Sequence, residues 1–239
     1  VMNQVHAQKI VSADGSLTEI IYALKEDDKL VGVDTTSAYP QQASLLAQIG
    51  YKRNISAEGV LSLAPTVLIA TQDSGPDKIL KQIQGAGVKV LRFSAEPSLD
   101  AVREKILGVA ALVNKQVQGE RLWLQIEKEV LKVSQPLLAI ENKVKVLFVL
   151  SMKSGSPVVS GNHTHAAEMI RLAGGINAAT GFSGYKSMPL EAVIAAQPDI
   201  ILMMDRTGDH GASLEQLQGQ GFSLTPARLN NRLVTMDGM

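Results

Sequence analysis

The most restrictive feature of this sequence is a pattern that occurs twice, once on each side of a central helical stretch. Glu58 and Pro65 lie seven residues apart, and an apolar run follows the proline. Glu191 and Pro198 repeat that spacing, again with an apolar run after the proline. A shared Glu, Val and Pro at one fixed offset favours a duplicated unit over chance similarity between two α/β segments.

The central stretch predicts helices. Apolar residues recur every three or four positions from Leu122 to Ile140, as in a long amphipathic helix. A polar interruption at residues 114–119 predicts two helices, over 99–113 and 117–140, and Pro136 should kink the second or end it. A helix of that second length can connect two lobes.

On both flanks, short apolar runs alternate with helical patterns. The run ending at Val11 leads through a turn to a helix for which Ser16 is the candidate N-cap, with Glu19 at its third position. This order predicts an α/β fold of two doubly wound, mainly parallel-sheet lobes joined by a long α-helix. We assign residues 1–97 to the first lobe, 98–143 to the linking helical region and 144–239 to the second lobe. A final strand normally needs a covering helix, so we expect a further segment beyond Met239.

Composition excludes several functional classes. The chain has 23 basic and 23 acidic residues, so no general field draws it to nucleic acid. There is no run of about 18 apolar residues, which argues against stable insertion into a membrane. Cysteine is absent, which excludes disulfides, thiolate metal sites and cysteine nucleophiles.

Enzyme signatures are also absent from the sequence. It contains no G-x-S-x-G elbow, phosphate-binding Gly-rich loop, H-E-x-x-H helix or dinucleotide fingerprint. Ser12, Asp14 and Asp73 are the only weak candidates for a nucleophile or an acid–base pair. We therefore predict a binding protein rather than an enzyme.

Tyr51 is the strongest candidate for a ligand-binding residue. It lies in Gly50-Tyr51-Lys52-Arg53, just past a predicted strand end, where a doubly wound sheet presents its ligand-facing loops. A phenol is ordinarily a poor metal ligand, but adjacent cations and a trivalent metal both favour the phenolate. Arg53 is placed to hold that oxygen, although the same sequence also fits an ordinary surface loop.

Histidines in the second lobe allow a different metal site. His163 and His165 lie at the turn before a predicted helix, and each is either a metal ligand or a solvent-exposed helix-start residue. Together with His210 and Asp205 or Asp209 they provide enough N and O ligands for Zn²⁺ or Mn²⁺. These residues all lie in one lobe, whereas a site between lobes should draw on both.

Two acidic residues and one arginine suggest contacts with partners. Glu58 and Glu191 occupy equivalent first-turn positions, where the helix dipole stabilises a carboxylate and where a two-fold partner with basic sockets could bind. Arg206 directly follows a predicted strand and is either a solvated loop residue or a partner for a ligand carboxylate.

Three stretches resemble a known family. They are residues 12–19 (Ser-Ala-Asp-Gly-Ser-Leu-Thr-Glu), residues 31–40 (Val-Gly-Val-Asp-Thr-Thr-Ser-Ala-Tyr-Pro), and Ile49-Gly-Tyr-Lys-Arg53 followed by Ser56-Ala-Glu-Gly59. Over nearly its whole length the chain resembles the periplasmic haem-binding proteins of bacterial haem-uptake ABC transporters. These form part of a helix-linked class that also serves cobalamin and siderophores.

The resemblance implies a function and roles for the candidate residues. A monomeric periplasmic protein would capture haem in the cleft between its lobes and deliver it to an inner-membrane permease dimer. Tyr51 would be the axial iron ligand, with Arg53 near its oxygen, and Lys52, Arg53 or Arg206 would be available for the propionates. His163 matches a loop that approaches the other haem face in some members, and Glu58 and Glu191 would form salt bridges with the permease.

Overall fold

The protein is described here by a computed structural model covering residues 8–205 and 221–237. The chain divides into two compact units, residues 1–126 and residues 127–239, and each contains its own β-sheet covered by helices. The two-lobe α/β architecture predicted from the sequence is therefore confirmed. The limits of the linking region at residues 98 and 143 stay predictions.

The first lobe contains a five-stranded parallel sheet with the order β3-β2-β1-β6-β7. A separate antiparallel hairpin, β4 and β5, follows β3. The strands are β1 (Ile10–Ala13), β2 (Leu30–Val33), β3 (Ala47–Gln48), β4 (Gly50–Tyr51), β5 (Asn54–Ile55), β6 (Val67–Thr71) and β7 (Lys89–Phe93).

Helices follow the strands of this sheet. They are α1 (Gly15–Ala23), α2 (Ala57–Ser62), α3 (Asp77–Gly85), α4 (Leu99–Leu112) and α5 (Gln116–Leu137). Short 3₁₀ helices span Asp27–Lys29 and Gln41–Leu45. The helix α5 includes Pro136 and ends at Leu137, three residues before the predicted end at Ile140, and the division between the two units falls within it after Ile126.

The central strands of the first lobe are buried on both faces, which explains their continuous apolar sequences. Ile10 and Ile69 pack into one core cluster with residues of α1, α4 and α5, including Trp123. Val11 and Leu68 point to the opposite face and pack with residues of α2 and α3. Alternate residues of β1 and β6 thus pack into two different core clusters, because successive side chains point to opposite faces of a strand.

The second lobe has a mixed sheet in which β8 pairs in parallel with β10 and β12, β12 pairs in parallel with β13, and β9 and β11 form an antiparallel edge. The strands are β8 (Lys145–Lys153), β9 (Ser156–Ser160), β10 (Ile176–Asn177), β11 (Tyr185–Ser187), β12 (Ile200–Asp205) and β13 (Leu233–Asp237). The helices are α6 (His165–Leu172), α7 (Leu190–Ala196) and α8 (Pro226–Leu229).

The repeated sequence pattern forms the same local structure in each lobe. Ala64 after α2 and Gln197 after α7 both adopt left-handed backbone conformations, with φ of 47° and 48°, immediately before the repeated proline. The entry to the strand is also repeated. The N–H of Thr66 donates to the carbonyl of Lys9 at 2.9 Å, and the N–H of Asp199 donates to the carbonyl of Lys145 at 2.8 Å. These shared details support the duplication inferred from the sequence.

Among the described residues, no helix combines the length and apolar character required to cross a lipid bilayer.

Candidate functional site

Tyr51 lies on the β4–β5 hairpin, next to the carboxyl ends of the parallel strands in the first lobe. The hairpin begins at Gly50, whose φ of +95° favours glycine. A Cβ atom at that position would lie only 2.9 Å from the carbonyl oxygen of Asn54. The tight turn therefore also requires a residue without a side chain. The Tyr51 side chain is 44% exposed, which leaves its phenol accessible to a ligand.

The neighbouring residue, Lys52, anchors this hairpin to three other segments of the lobe. Its ammonium donates to Asp14 Oδ2 at 2.8 Å and to Asp73 Oδ1 at 3.2 Å. Its backbone N–H donates to Asp34 Oδ2 at 3.2 Å, and its carbonyl accepts from the N–H of Gly75 at 2.9 Å. Both the N–H and the carbonyl of Lys52, the residue directly after Tyr51, are therefore held by hydrogen bonds to other loops of the lobe.

The acidic partners of Lys52 come from the loops that follow β1, β2 and β6. Asp14 caps α1, since its side chain accepts from the N–H of Ser16 at 2.9 Å; the sequence-based assignment of Ser16 as the N-cap is wrong. Asp34 accepts hydrogen bonds from Thr36 and Ser37 and is fully buried. In a parallel sheet these loops meet at one edge, so three distant acids converge there. We call Asp14, Asp34, Lys52, Arg53 and Asp73 the charged network.

Arg53 belongs to the same network. Its guanidinium donates to Asp73 Oδ2 at 2.9 Å, and Asp73 also accepts from Thr71 Oγ1 at 2.7 Å. The hydrogen bond to Asp73 raises the pKa of Arg53, more than burial lowers it, and the nearby Tyr51 adds a smaller contribution in the same direction. Arg53 therefore remains cationic close to the phenol, although its hydrogen bond in this structure is to Asp73.

The network shifts the pKa of its carboxyl groups in opposite directions. Burial alone would raise the pKa of Asp14, but hydrogen bonds from Lys52 and Ser16 and the positive charges of Lys52 and Lys105 lower it below its usual value. Burial would also raise the pKa of Asp73, but hydrogen bonds from Thr71, Arg53 and Lys52 outweigh it. The pKa of Asp73 therefore falls well below the ordinary range. Asp34 has no ammonium partner within the part of the chain that the structure describes, and burial raises its pKa.

Replacing Lys52 with Met should destabilise the protein by about 3 kcal/mol at neutral pH, because it leaves the carboxylates of Asp14 and Asp73 without their shared ammonium. Urea unfolding followed by circular dichroism measures this change in the free energy of unfolding. The control is Lys78→Met, which removes an exposed lysine of α3 and should change stability by less than about 0.5 kcal/mol.

The same variant should have a pH dependence of known sign. Asp14 and Asp73 have lowered pKa values in the folded protein, so their contribution to stability is present above the unfolded value of about 4 and is lost as the pH falls below it. Without Lys52, the two carboxyls no longer gain that contribution. The difference between wild type and Lys52→Met should therefore shrink as the pH falls from 7 towards 3, and a difference independent of pH would contradict the ion-pair assignment.

The histidine candidates of the second lobe lie at the start of α6. His163 is exposed and adopts a left-handed conformation with φ of 55°, and Thr164 caps the helix. His165 begins α6, as expected. In the ranges 8–205 and 221–237, no group of three or more His, Asp or Glu side chains is arranged to hold a metal ion. Arg206, Asp209 and His210 lie outside the described residues, as does the side chain of Asp205.

Glu58 and Glu191 occupy equivalent positions. Each is the second residue of its helix, α2 or α7, and each is exposed. Within the described part of the chain neither forms an ion pair. Both carboxylates are therefore available to a partner.

Asp34 of the charged network, and Lys105 beside the network, were not singled out from the sequence. Asp34 directly follows β2, as Asp14 directly follows β1. An acidic residue immediately after each of these strands is the sequence pattern that could have identified Asp34. Lys105 lies on the buried face of α4, four residues from both Ala101 and Val109. Ser12 and Asp14, weak candidates for an enzyme, instead belong to a hydrogen-bonded turn in which Ser12 accepts from Thr18 at 2.8 Å.

Comparison with known proteins gives one family over nearly the whole chain. A family profile described as periplasmic binding protein matches residues 10–238. A solved periplasmic haem-binding protein in complex with two haems, BhuT, is 34% identical over 96% of this chain and 89% of its own, with a TM-score of 0.87. A periplasmic haem-binding protein from Roseiflexus sp. RS-1, in the apo form, is 38% identical over 97% of this chain and 89% of its own, with a TM-score of 0.85.

Curated relatives include a protein with a different ligand. A vitamin B12-binding protein from Vibrio campbellii is 25% identical over 97% of this chain and 82% of its own length. The chain spans only 64% of the length of another relative, an uncharacterised ABC transporter substrate-binding lipoprotein from Bacillus subtilis, with which it shares 28% identity over 83% of its own length.

Proposed function

The chain belongs to the periplasmic binding protein family, and on that premise we propose that it captures haem and delivers it to an inner-membrane ABC permease. The family consists of substrate-binding transport proteins rather than enzymes. Tyr51, as the phenolate, would bind the haem iron, as in other tyrosinate-ligated haem proteins. Haem is here the transported ligand.

The observation that carries this proposal is the Tyr51 hairpin. The half-exposed phenol of Tyr51 follows Gly50, the glycine that makes the tight turn possible. The next two residues, Lys52 and Arg53, are cations that form ion pairs within the charged network. A ferric iron itself favours the phenolate form of a tyrosine ligand. A pre-organised hairpin also avoids the entropic cost of ordering the iron ligand during binding.

The supporting residues receive distinct roles in this proposal. Lys52 acts by positioning, because its ammonium is already shared by Asp14 and Asp73. Arg53 keeps a positive charge next to the phenolate. A contact of His163 with the second haem face and a contact of Arg206 with a propionate stay predictions from the family resemblance, as does binding of haem between the lobes.

Sequence identity favours haem over cobalamin. The two solved haem-binding proteins share 34% and 38% of their residues with this chain, compared with 25% for the B12-binding relative. In cyanocobalamin both axial positions of the cobalt are already occupied, whereas haem iron takes its axial ligand from the protein, so the phenol of Tyr51 would have no metal to bind in cobalamin. The family and the resemblance support location in the periplasm, and action as a monomer is proposed with it.

An absorption titration tests the proposal directly. Addition of haemin to the purified apoprotein should give a saturable Soret change with the charge-transfer bands of high-spin ferric tyrosinate, and the end point gives the number of haems bound. A parallel equilibrium dialysis against cyanocobalamin should show no retention. Retention of cobalamin without a saturable haemin spectrum would assign the protein to the other ligand.

A further inference from the structure

Two lysines of the first lobe are largely buried around Asp14, and they differ in how their charge is compensated. The ammonium of Lys52 lies within hydrogen-bond distance of two carboxylates. The ammonium of Lys105, on α4, donates to Ser16 Oγ at 3.1 Å. Among the described residues, no carboxylate lies within 4 Å of it.

This arrangement leaves a buried cation with unused hydrogen-bonding capacity. Lys105 is only 6% exposed, and an ammonium can donate three hydrogen bonds. A buried charge is costly unless it is paired, so Lys105 would gain from an anion. Burial lowers its pKa, more than the nearby Asp14 raises it, which agrees with incomplete compensation.

Lys105 also lines an open cavity of about 720 Å³ in the first lobe, the size of a site for a small molecule. Apolar side chains of α1, α4 and α5 form much of the lining, namely Ile20, Val102, Ile106, Leu122 and Ile126. Two carboxylates, Glu19 and Asp27, also line it, but neither forms an ion pair with Lys105. The cavity thus suits a ligand with an apolar body and a carboxylate.

Hydrogen bonds connect this cavity with the Tyr51 hairpin. Lys105 donates to Ser16 Oγ, Ser16 donates to Asp14 Oδ1 at 2.5 Å, and Lys52 donates to Asp14 Oδ2 at 2.8 Å. Three short contacts therefore separate the ammonium of Lys105 from the residue next to Tyr51. Haem has its iron at the centre of the macrocycle and its two carboxylates at one edge, so it carries both an iron for a phenolate and a carboxylate for an ammonium.

We propose that Lys105 binds a propionate carboxylate of haem, while the apolar lining of the adjacent cavity covers part of the porphyrin edge. This inference rests on the proposed function and adds a residue that selects for free propionates. It also gives the buried ammonium the counter-ion that the described residues do not supply.

The test compares haemin with its dimethyl ester, in which both carboxylates are blocked. Lys105→Met should lower the affinity for haemin by about 10- to 100-fold and leave the affinity for the dimethyl ester unchanged, because the lost contact is a charge-assisted hydrogen bond. Lys105→Arg keeps the positive charge and should retain most of the preference for haemin. Arg103→Met removes an exposed cation from the same helix and should match wild type with both ligands.

The outcomes separate this inference from the proposed function. Equal losses for haemin and its ester in Lys105→Met, or no loss for either, would overturn the role of Lys105 while the wild-type tyrosinate spectrum still supported haem binding. Absence of haemin binding by the wild-type protein would overturn both. Thermal unfolding checks the variant, and its midpoint should not fall because an incompletely paired buried charge is replaced by an apolar side chain.

Discussion

Tyr51→Phe is expected to lower the affinity for ferric haem by more than about 100-fold, since outer-shell partners of metal ligands alone contribute 10- to 100-fold. The substitution removes one oxygen from a 44% exposed side chain, and the charged network beneath it remains intact. The charge-transfer bands of ferric tyrosinate should disappear at the same time. Absorption titration of wild type and variant with haemin measures both effects.

Two controls make this result specific for iron ligation. Metal-free protoporphyrin IX should bind wild type and Tyr51→Phe with equal affinity, because it has no iron for the phenolate to bind. Tyr39→Phe makes the same chemical change at another exposed tyrosine of the first lobe and should keep the tyrosinate spectrum. An unchanged spectrum and affinity in Tyr51→Phe would remove this residue from the site.

Local sequence patterns were sufficient to predict the architecture. The apolar run of β6 and the proline-terminated helix α2 before it depend on neighbours a few residues away, so their pattern is visible in sequence. The apolar period of α5 is local in the same way, and the helix ends one residue after Pro136. The antiparallel edge formed by β9 and β11 was not predicted, because pairing of strands 25 or more residues apart depends on tertiary structure.

The candidate site was predicted only in part. The Gly50-Tyr51 step was identified because a glycine and an aromatic residue after a strand are visible in the sequence. The role of Lys52 was not, since its partners Asp14 and Asp73 are 38 and 21 residues away. The family resemblance made this lysine available for a haem propionate, whereas in the structure its ammonium binds Asp14 and Asp73 and holds the hairpin. Lys105 was missed because a lysine on a helix is usually solvated, and only packing shows that this one is buried.

The two acidic residues that the family resemblance assigns to permease docking occur once in each lobe. Glu58 and Glu191 are exposed at the second position of α2 and α7, and both helices end before a left-handed residue and a proline. The helix dipole stabilises each carboxylate by roughly 0.3–1 kcal/mol, so replacing both should not unfold the protein. Two equivalent acids suit a partner composed of two related subunits with basic sockets.

Exchanging both residues for lysine (Glu58→Lys with Glu191→Lys) should abolish haem delivery to the cognate permease and change haem affinity by less than about two-fold, because neither residue belongs to the charged network. Like charges placed opposite one another cost several kcal/mol at an interface. Uptake by proteoliposomes containing the permease measures delivery. The control, Glu120→Lys with Glu141→Lys, makes the same charge change at one exposed position in each unit and should retain transport. Normal uptake with the first pair, or equal loss with the control, would show that net charge or another surface determines docking.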